Sequence, residues 1–314
     1  MNMAAARAES RRMDNKFFVE MKERIRGDVR ENEPMAAHTS FGIGGPADVW
    51  AKPQTREDLI ALIGMCEKKG FPYMIIGRGT NLLVRDGGIR GVVIDMEQAC
   101  GNLEAHQAAV TAGSGVSLNA MAKAAARNGL RGLEFCAGIP GSVGGGLATN
   151  AGARDGSLCL KLKTAEVYDP ERRKIRIVRN DEVDFSYRSS NLASFGLILG
   201  AEFDLERDEP EAVSLRMREY LEQRSDSQPV GLKNAGCIFK NPPGGCAGAL
   251  IDALGYKGRM RGGAMVSDVH ANFIVNTGTA TAADVLALMA EIKERVLSAS
   301  GIELEEEIQV VGTG

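Results

Sequence analysis

Residues 137–153 read AGIPGSVGGGLATNAGA, with glycine at six of the seventeen positions. Glycine lets a backbone adopt positive φ and approach a phosphate with no Cβ between, so a cluster of it beside strands is either a set of turns or a nucleotide cradle. Three more clusters precede it: TSFGIGGPAD (39–48), IIGRGTNLLV (75–84) and VTAGSGVS (110–117). The first can be tested as a dinucleotide fingerprint and fails. Gly42, Gly44 and Ala47 satisfy GxGxxA, yet a strand-like segment follows where the binding helix should begin. No Walker lysine motif is present. A nucleotide held here needs several strand-end loops in place of one loop and one helix.

The whole chain shares this bias: 38 glycines in 314 residues is about 12%, against a usual share of roughly 7%. With 44% hydrophobic residues the chain can bury a large core, and its length suits two or three domains. Thirty-eight basic against 41 acidic residues, net charge −3, argue against a protein whose main work is neutralising nucleic acid or anionic lipid. The start, MNMAAARAESRR, has the Ala and Arg of a targeting segment without the apolar stretch of a secretory signal, and no run approaches 18 apolar residues. A soluble, cytoplasmic chain is expected, its first dozen residues disordered. Six cysteines without CxxC spacing and three histidines support neither a disulfide framework nor a metal site.

Over 14–26, Phe17, Phe18, Met21 and Ile25 recur at the spacing of an amphipathic helix. From 39 to 95, ADVWA, a helix LIALIGMCEKKG stopping at Gly70, YMIIG, LLVRDGG and GVVIDM read as β, α, β, β, β. From 109 to 204 follow a helix over 117–128 and strands at TAEVYD, KIRIV and LILGAEFDL. The charged stretch LERDEPEAVSLRMREYLEQR then marks a boundary. Beyond it come helix ALIDALG, strand FIVN, a long helix over 282–300 and a final strand EEIQVV.

Eight stretches in order carry a resemblance: TSFGIGGPAD, GRGTNLLV, GLEFCAGIPGSVGGGLATNAGA, FSYRSSNL, NAGCIFKNP, AGALIDALGYKG, VSDVHANFIVN and EEEIQVVG. From about Pro34 to Gly312 the chain resembles the UDP-N-acetylenolpyruvoylglucosamine reductase family, also called UDP-N-acetylmuramate dehydrogenases, in its shorter type II branch. The resemblance implies an α+β fold: a two-part FAD-binding region of the vanillyl-alcohol-oxidase (PCMH) type plus a C-terminal α+β substrate domain. The expected divisions are an N-terminal helix and tail (1–33), FAD subdomains at 34–100 and 101–208, and a substrate domain at 209–314. FAD is expected non-covalently, with Thr39, Gly44, Gly45, Gly77, Arg78, Gly79, Thr80, Asn81, Leu82, Gly113, Gly138, Ile139, Pro140, Gly141, Ser142, Gly145, Asn150, Gly152 and Ala153 around it.

The implied reaction takes a hydride from NADPH through FAD to the enolpyruvyl methylene of UDP-N-acetylenolpyruvoylglucosamine, after which a proton completes the reduction in peptidoglycan precursor synthesis. Arg188, in FSYRSSNL, matches the family's catalytic arginine, a permanent cation with a planar fork for the pyruvyl carboxylate and the developing enolate; its bland reading is a surface salt bridge. Glu307, in EEEIQVVG, matches a catalytic glutamate, while Glu305 and Glu306 read as a solvated face. Cys237 stands in NAGCIFKNP where many members carry serine. A lone cysteine is more often a small buried hydrophobe, but a thiol with an ordinary pKa of about 8.5 is a competent proton donor to an enolate. Tyr187, Arg224, Lys240, Asn241 and His270 are candidate substrate contacts, with Asn272 beside them; solvated cations and satisfied core groups are the competing readings.

Two rivals stand beside this expectation. One is another flavin oxidase or dehydrogenase of the same fold acting on an alcohol or hydroxy acid. The other is a catalytically dead nucleotide-binding protein. The sequence leaves the oligomeric state open.

Overall fold

The computed structural model describes residues 15–153 and 156–314; the expectation for the first dozen residues falls outside them. The chain begins with α1 (Asn15–Arg24), β1 (Gly27–Pro34), β2 (Pro46–Pro53), α2 (Arg56–Lys69), β3 (Tyr73–Ile76), β4 (Leu82–Val84), β5 (Ile89–Asp95), β6 (Leu103–His106), β7 (Ala109–Gly113), α3 (Leu118–Arg127) and α4 (Val143–Ala148). The later helices are α5 (Pro210–Ser227), α6 (Ala247–Ala253) and α7 (Ala282–Ser300). Contacts gather the chain into two units. One comprises the described residues up to 31 with Val49–Arg78 and Gly91–Glu222, the other Asn32–Asp48 with Gly79–Arg90 and Gln223–Gly314.

The first unit has two cores. In one, β1, β2, β5 and β3 lie side by side in that order, with β3 parallel to β5. Phe17 and Met21 of α1 and Leu59, Leu62, Ile63 and Cys66 of α2 bury against Val49, Val92 and Ile94. The spacing of those positions keeps one face of each helix apolar, as amphipathic packing requires. Local chemistry sets the ends of α2. Thr55 Oγ1 accepts from the Asp58 amide at its start, and Gly70, in the left-handed conformation at φ 67°, donates its amide to the last carbonyls at its end.

The second core underlies an antiparallel sheet in the order Lys174–Arg179, Leu162–Asp169, Leu197–Asp204, β7, β6. α3 covers it with Leu118, Met121, Ala122 and Ala125. The three longer strands and α3 match the sequence reading; β6 and β7 are strands it lacks, and α4 is a helix it lacks because the segment lies inside the glycine run read as loop. VGGGLA is a poor helix by propensity, each glycine costing about 1 kcal/mol against alanine. Packing explains it: Val143, Gly146 and Leu147 are buried, and a Cβ on Gly144 would stand 2.7 Å from the Ser114 Cβ. Ser142 caps the helix by accepting from the Gly145 amide at 3.3 Å.

In the second unit α7 buries Val285, Leu288, Met289, Ile292 and Val296 in one stripe against Phe41, Ile43, Leu83, Ile238, Phe239 and Ile308. Its start is doubly fixed. Thr281 and Asp284 form a reciprocal capping box, and both oxygens of Asp86 accept from the Ala282 and Ala283 amides at 2.8 and 2.9 Å. β4 pairs in parallel with the C-terminal strand Gln309–Val311, Leu82 opposite Gln309. Met260–Arg261, Ala264–Val266 and Ile274–Asn276 form a three-stranded sheet. Among the described residues no helix is long and apolar enough to cross a membrane, and no group of three or more His, Cys, Asp or Glu residues could hold a metal.

Asp58 yields a pH test of the first unit. Burial works against its charge, but the Thr55 hydroxyl and the Arg26 amide and guanidinium outweigh it and hold the carboxyl below its ordinary 3.8. A depressed folded-state pKa adds stability above the unfolded value and loses it as pH falls through the folded one. Asp58→Asn is expected to unfold about 1–2 kcal/mol more easily than wild type at pH 7, with the gap closing as pH drops below 3.8. Urea titrations across pH check this; a gap independent of pH contradicts it.

Candidate active site

Arg188 stands in the first unit on a hairpin. Phe185 and Ser186 pair with Ser190 and Ser189, which leaves Tyr187 and Arg188 as the turn. Arg188 has φ 55°, a left-handed conformation that costs a non-glycine residue roughly 1–3 kcal/mol and persists only where the surroundings impose it. They do so here. Asn150, itself buried and at φ 45°, donates to the Ser186 carbonyl at 3.0 Å and accepts from the Cys159 amide at 3.2 Å. Arg188 Nη1 donates to the Gly152 carbonyl at 2.9 Å, and its guanidinium lies 5.7 Å from the Tyr187 ring centre. The result is a half-buried cation of fixed direction beside an aromatic ring that is 57% exposed.

The glycine clusters of this unit meet one another. Ser142 bridges to Ser117, the Gly144 amide donates to the Ser114 carbonyl at 2.9 Å, and the Leu118 amide to the Gly141 carbonyl at 3.0 Å. A Cβ on Gly77 would fall 2.2 Å from Ser142 Oγ, which joins the second cluster to the fourth. Gly113 is buried, its amide on the Asn102 carbonyl at 2.8 Å; Gly138, Ile139 and Gly141 are half-buried, and Pro140 and Gly145 are exposed. Gly152 and Ala153 pair with Ser157 and Gly156. Arg78 is held by Glu97 at 2.9 Å, a carboxylate shared with Lys52. Asn119, which no glycine pattern marks, buries its Oδ1 with no hydrogen-bond partner. An orphaned buried acceptor costs about 1–3 kcal/mol. The bare backbone of the joined clusters, by contrast, fits a ligand rich in phosphate groups such as FAD.

In the second unit Thr39 is buried with its hydroxyl on the Ile43 carbonyl at 2.9 Å, and Gly79 accepts from the Ser40 amide at 3.1 Å. Gly79 sits at φ 61° with its absent Cβ 2.0 Å from the His38 carbonyl oxygen, so no other residue fits without moving the backbone. The Gly45 amide donates to the Arg85 carbonyl at 3.1 Å, Gly44 lies against Met35 and Val84, and Thr80 is half-buried. Asn81 reaches furthest. Its side chain donates to the Glu307 carbonyl at 3.1 Å and its own carbonyl accepts from the Gln309 amide at 2.9 Å, while Leu82 begins the parallel pair. One end of the expected cofactor loop is thus bonded to the segment carrying the expected catalytic glutamate.

Cys237 opens a short bent segment, 237–240, held from both sides. It bridges to Phe273 on one side, and the Ile238 carbonyl accepts from the Glu307 amide at 2.8 Å on the other. Cys237 and Glu307 are therefore on adjacent segments, both half-buried. Burial pushes Cys66 up to about 12 and Cys100 and Cys136 upward as well, as expected of inert core thiols. Lys240 pairs with Glu305 and Glu306 with Lys293; Asn241 accepts from the Ala247 amide at 3.0 Å. Arg224 is half-buried in the last turn of α5. His270 Nδ1 accepts from the Asn272 amide at 3.1 Å, and burial, then the Lys257 charge, lowers its pKa. Asn272 is 2% exposed and fully hydrogen-bonded to Phe239, a core role. A surface hollow lined by Gln54, Arg56, Gln98 and Asn102 contains none of the expected residues.

Comparison with known proteins follows the same lines. Residues 228–311 match the family described as UDP-N-acetylenolpyruvoylglucosamine reductase, C-terminal domain, and residues 47–173 match the FAD binding domain family. A UDP-N-acetylenolpyruvoylglucosamine reductase of Heliobacterium modesticaldum is 47% identical over 290 residues, 92% of either chain. One from Geobacter metallireducens is 43% identical over 96% of this chain and 99% of its own. The crystal structure of UDP-N-acetylenolpyruvylglucosamine reductase from Thermus caldophilus superposes with a TM-score of 0.76 at 36% identity, covering 91% of this chain and 99% of that one.

The Asn81 link can be tested directly. Removing its side chain deletes one hydrogen bond, worth roughly 0.5–1.5 kcal/mol, so Asn81→Ala should speed amide hydrogen exchange over 307–311 by up to about tenfold. Unchanged protection there would mean the side chain does not hold the segment.

Proposed function

We propose a function from one premise: the chain belongs to the UDP-N-acetylenolpyruvoylglucosamine reductase family. It is an FAD-containing oxidoreductase that reduces UDP-N-acetylenolpyruvoylglucosamine to UDP-N-acetylmuramate with NADPH, a step of peptidoglycan precursor synthesis. The observation that carries this is 47% identity across 92% of the chain to a reductase of that name. The fold is accordingly an FAD-binding region of the PCMH type followed by the C-terminal substrate domain. Within it, subdomains at 34–100 and 101–208 and a substrate domain at 209–314 are the proposed functional divisions, and the cytoplasm is the proposed location.

FAD, when bound, supplies the redox chemistry, passing hydride from NADPH to the enolpyruvyl alkene. The residues proposed to hold it are those of the four glycine clusters, with Asn150, Gly152 and Ala153 at one flank. Arg188 binds the carboxylate of the enolpyruvyl group and stabilises the charge that develops as hydride arrives. Its imposed left-handed turn supports this role, since strain of that kind is kept where direction matters. Glu307 orients the same end of the substrate. Cys237 gives its proton to the carbon next to the carboxylate and recovers one from solvent. Tyr187, Arg224, Lys240, Asn241 and His270 are the proposed contacts to sugar and diphosphate; Lys240 reaches the diphosphate by exchanging Glu305 for it, a cheap exchange because exposed ion pairs are worth only about 0–1 kcal/mol.

The deciding experiment is NADPH oxidation that depends on UDP-N-acetylenolpyruvoylglucosamine, with pyruvate-like acids as the control; turnover of the acids instead would favour a hydroxy-acid oxidoreductase of the same fold. Cys237→Ser is expected to keep turnover within about tenfold of wild type. Cys237→Ala should lose roughly a hundredfold or more of substrate-dependent flavin reoxidation, the scale of general-acid catalysis, while NADPH still bleaches the flavin. An alanine variant as fast as wild type would remove Cys237 from the mechanism.

A further inference from the structure

The side chain of Asn272 is spent entirely on one residue of the segment that carries Cys237. Its Oδ1 accepts from the Phe239 amide at 3.0 Å and its Nδ2 donates to the Phe239 carbonyl at 2.7 Å. Its backbone carbonyl accepts from the Ile238 amide at 2.9 Å, and its own amide is bound by His270 Nδ1 at 3.1 Å. Asn272 is 2% exposed and Phe239 fully buried, so water cannot replace any of these bonds. A primary amide is the smallest side chain that offers a donor and an acceptor side by side, as this pairing requires. Neither Ser nor Leu at 272 could satisfy both groups of Phe239.

Ile238, between Cys237 and Phe239, stands at a bend, and the successive amides of Ile238 and Phe239 both reach Asn272. The bonds to Ile238 and Phe239 therefore fix the course of the backbone through this bend, and with it the direction in which the thiol at its start leaves the chain. On the opposite edge the Glu307 amide to the Ile238 carbonyl and the Lys240 amide to the Glu305 carbonyl also hold the segment. Gly236, just before Cys237, is at φ 84° with nothing within 4 Å of its missing Cβ, so packing there does not hold the chain.

We propose that Asn272 is the positioning residue for proton donation: its amide holds the backbone of residues 237–240 in one course and so aims the Cys237 thiol. This rests on the reading of Cys237 as the donor. The lock acts on the second half of the reaction alone, because hydride uptake from NADPH uses no thiol.

The test is stopped-flow kinetics of the FAD-loaded enzyme. In Asn272→Ala, bleaching by NADPH should stay within about twofold of wild type, while reoxidation by UDP-N-acetylenolpyruvoylglucosamine slows at least tenfold and its solvent deuterium isotope effect grows. Asn272→Asp, when protonated, again presents an acceptor beside an O–H donor, so its reoxidation rate should recover toward wild type as pH falls. The same pH series on wild type accounts for titration of His270, Lys257, Asp252 and Glu307. If the alanine variant does not fold, the aspartate series carries the test, and a pH profile parallel to wild type overturns the proposal. So does equal slowing of both halves in Asn272→Ala, or of neither. Cys237→Ala separates the two readings: if it reoxidises at the wild-type rate, the donor assignment has failed; if it is slow and Asn272→Ala is not, only the positioning role has failed.

Discussion

Closeness of backbone to backbone is the constraint on which the site depends. At Gly79 the chain passes so near the His38 carbonyl that a single added carbon would overlap it. Such contacts form only where one of the two segments lacks a side chain, and they leave main-chain amides without the steric shell that normally surrounds them. The surplus of glycine noticed in the sequence is the chemical form of that constraint. It also explains why a run as unfavourable as VGGGLA is helical: closeness to Ser114 outweighs propensity.

Within each unit the charged and acidic groups are held by amides. Asn150 fixes the hairpin of Arg188, Asn81 the segment of Glu307, and Asn272 the segment of Cys237. An asparagine can bond a backbone donor and acceptor at once and carries no charge whose burial must be compensated. Left-handed geometry at Arg188 is then tolerable, because a cost of about 1–3 kcal/mol is offset by bonds that exist only in that conformation.

Local signals in the sequence were legible and non-local ones were not. Thr55 and Gly70 bracket α2, and Gly301 closes α7 where the apolar stripe ends, so both helices could be read from their capping chemistry. The pairing of β4 with Gln309–Val311 has no local trace, since three apolar residues in one partner and two in the other say nothing about a strand more than two hundred positions away. α4 was hidden for the opposite reason, a local signal that tertiary packing overrides. For the site, motif resemblance supplied Arg188, Cys237 and Glu307, but nothing in a linear pattern distinguishes an asparagine that clamps a neighbour from one that touches a ligand. Asn119 illustrates this: one polar residue in the first turn of a helix, with an orphaned oxygen that only the fold reveals.

The parallel pair between β4 and the last strand also bears on how the protein is made. Asn81 leaves the ribosome 226 residues ahead of Glu307, to whose carbonyl its side chain bonds. Domains otherwise fold in the order in which they emerge. Here the expected cofactor loop waits for those residues before its neighbours are complete. A nascent chain stalled short of residue 309 would have that loop's sequence and lack its support.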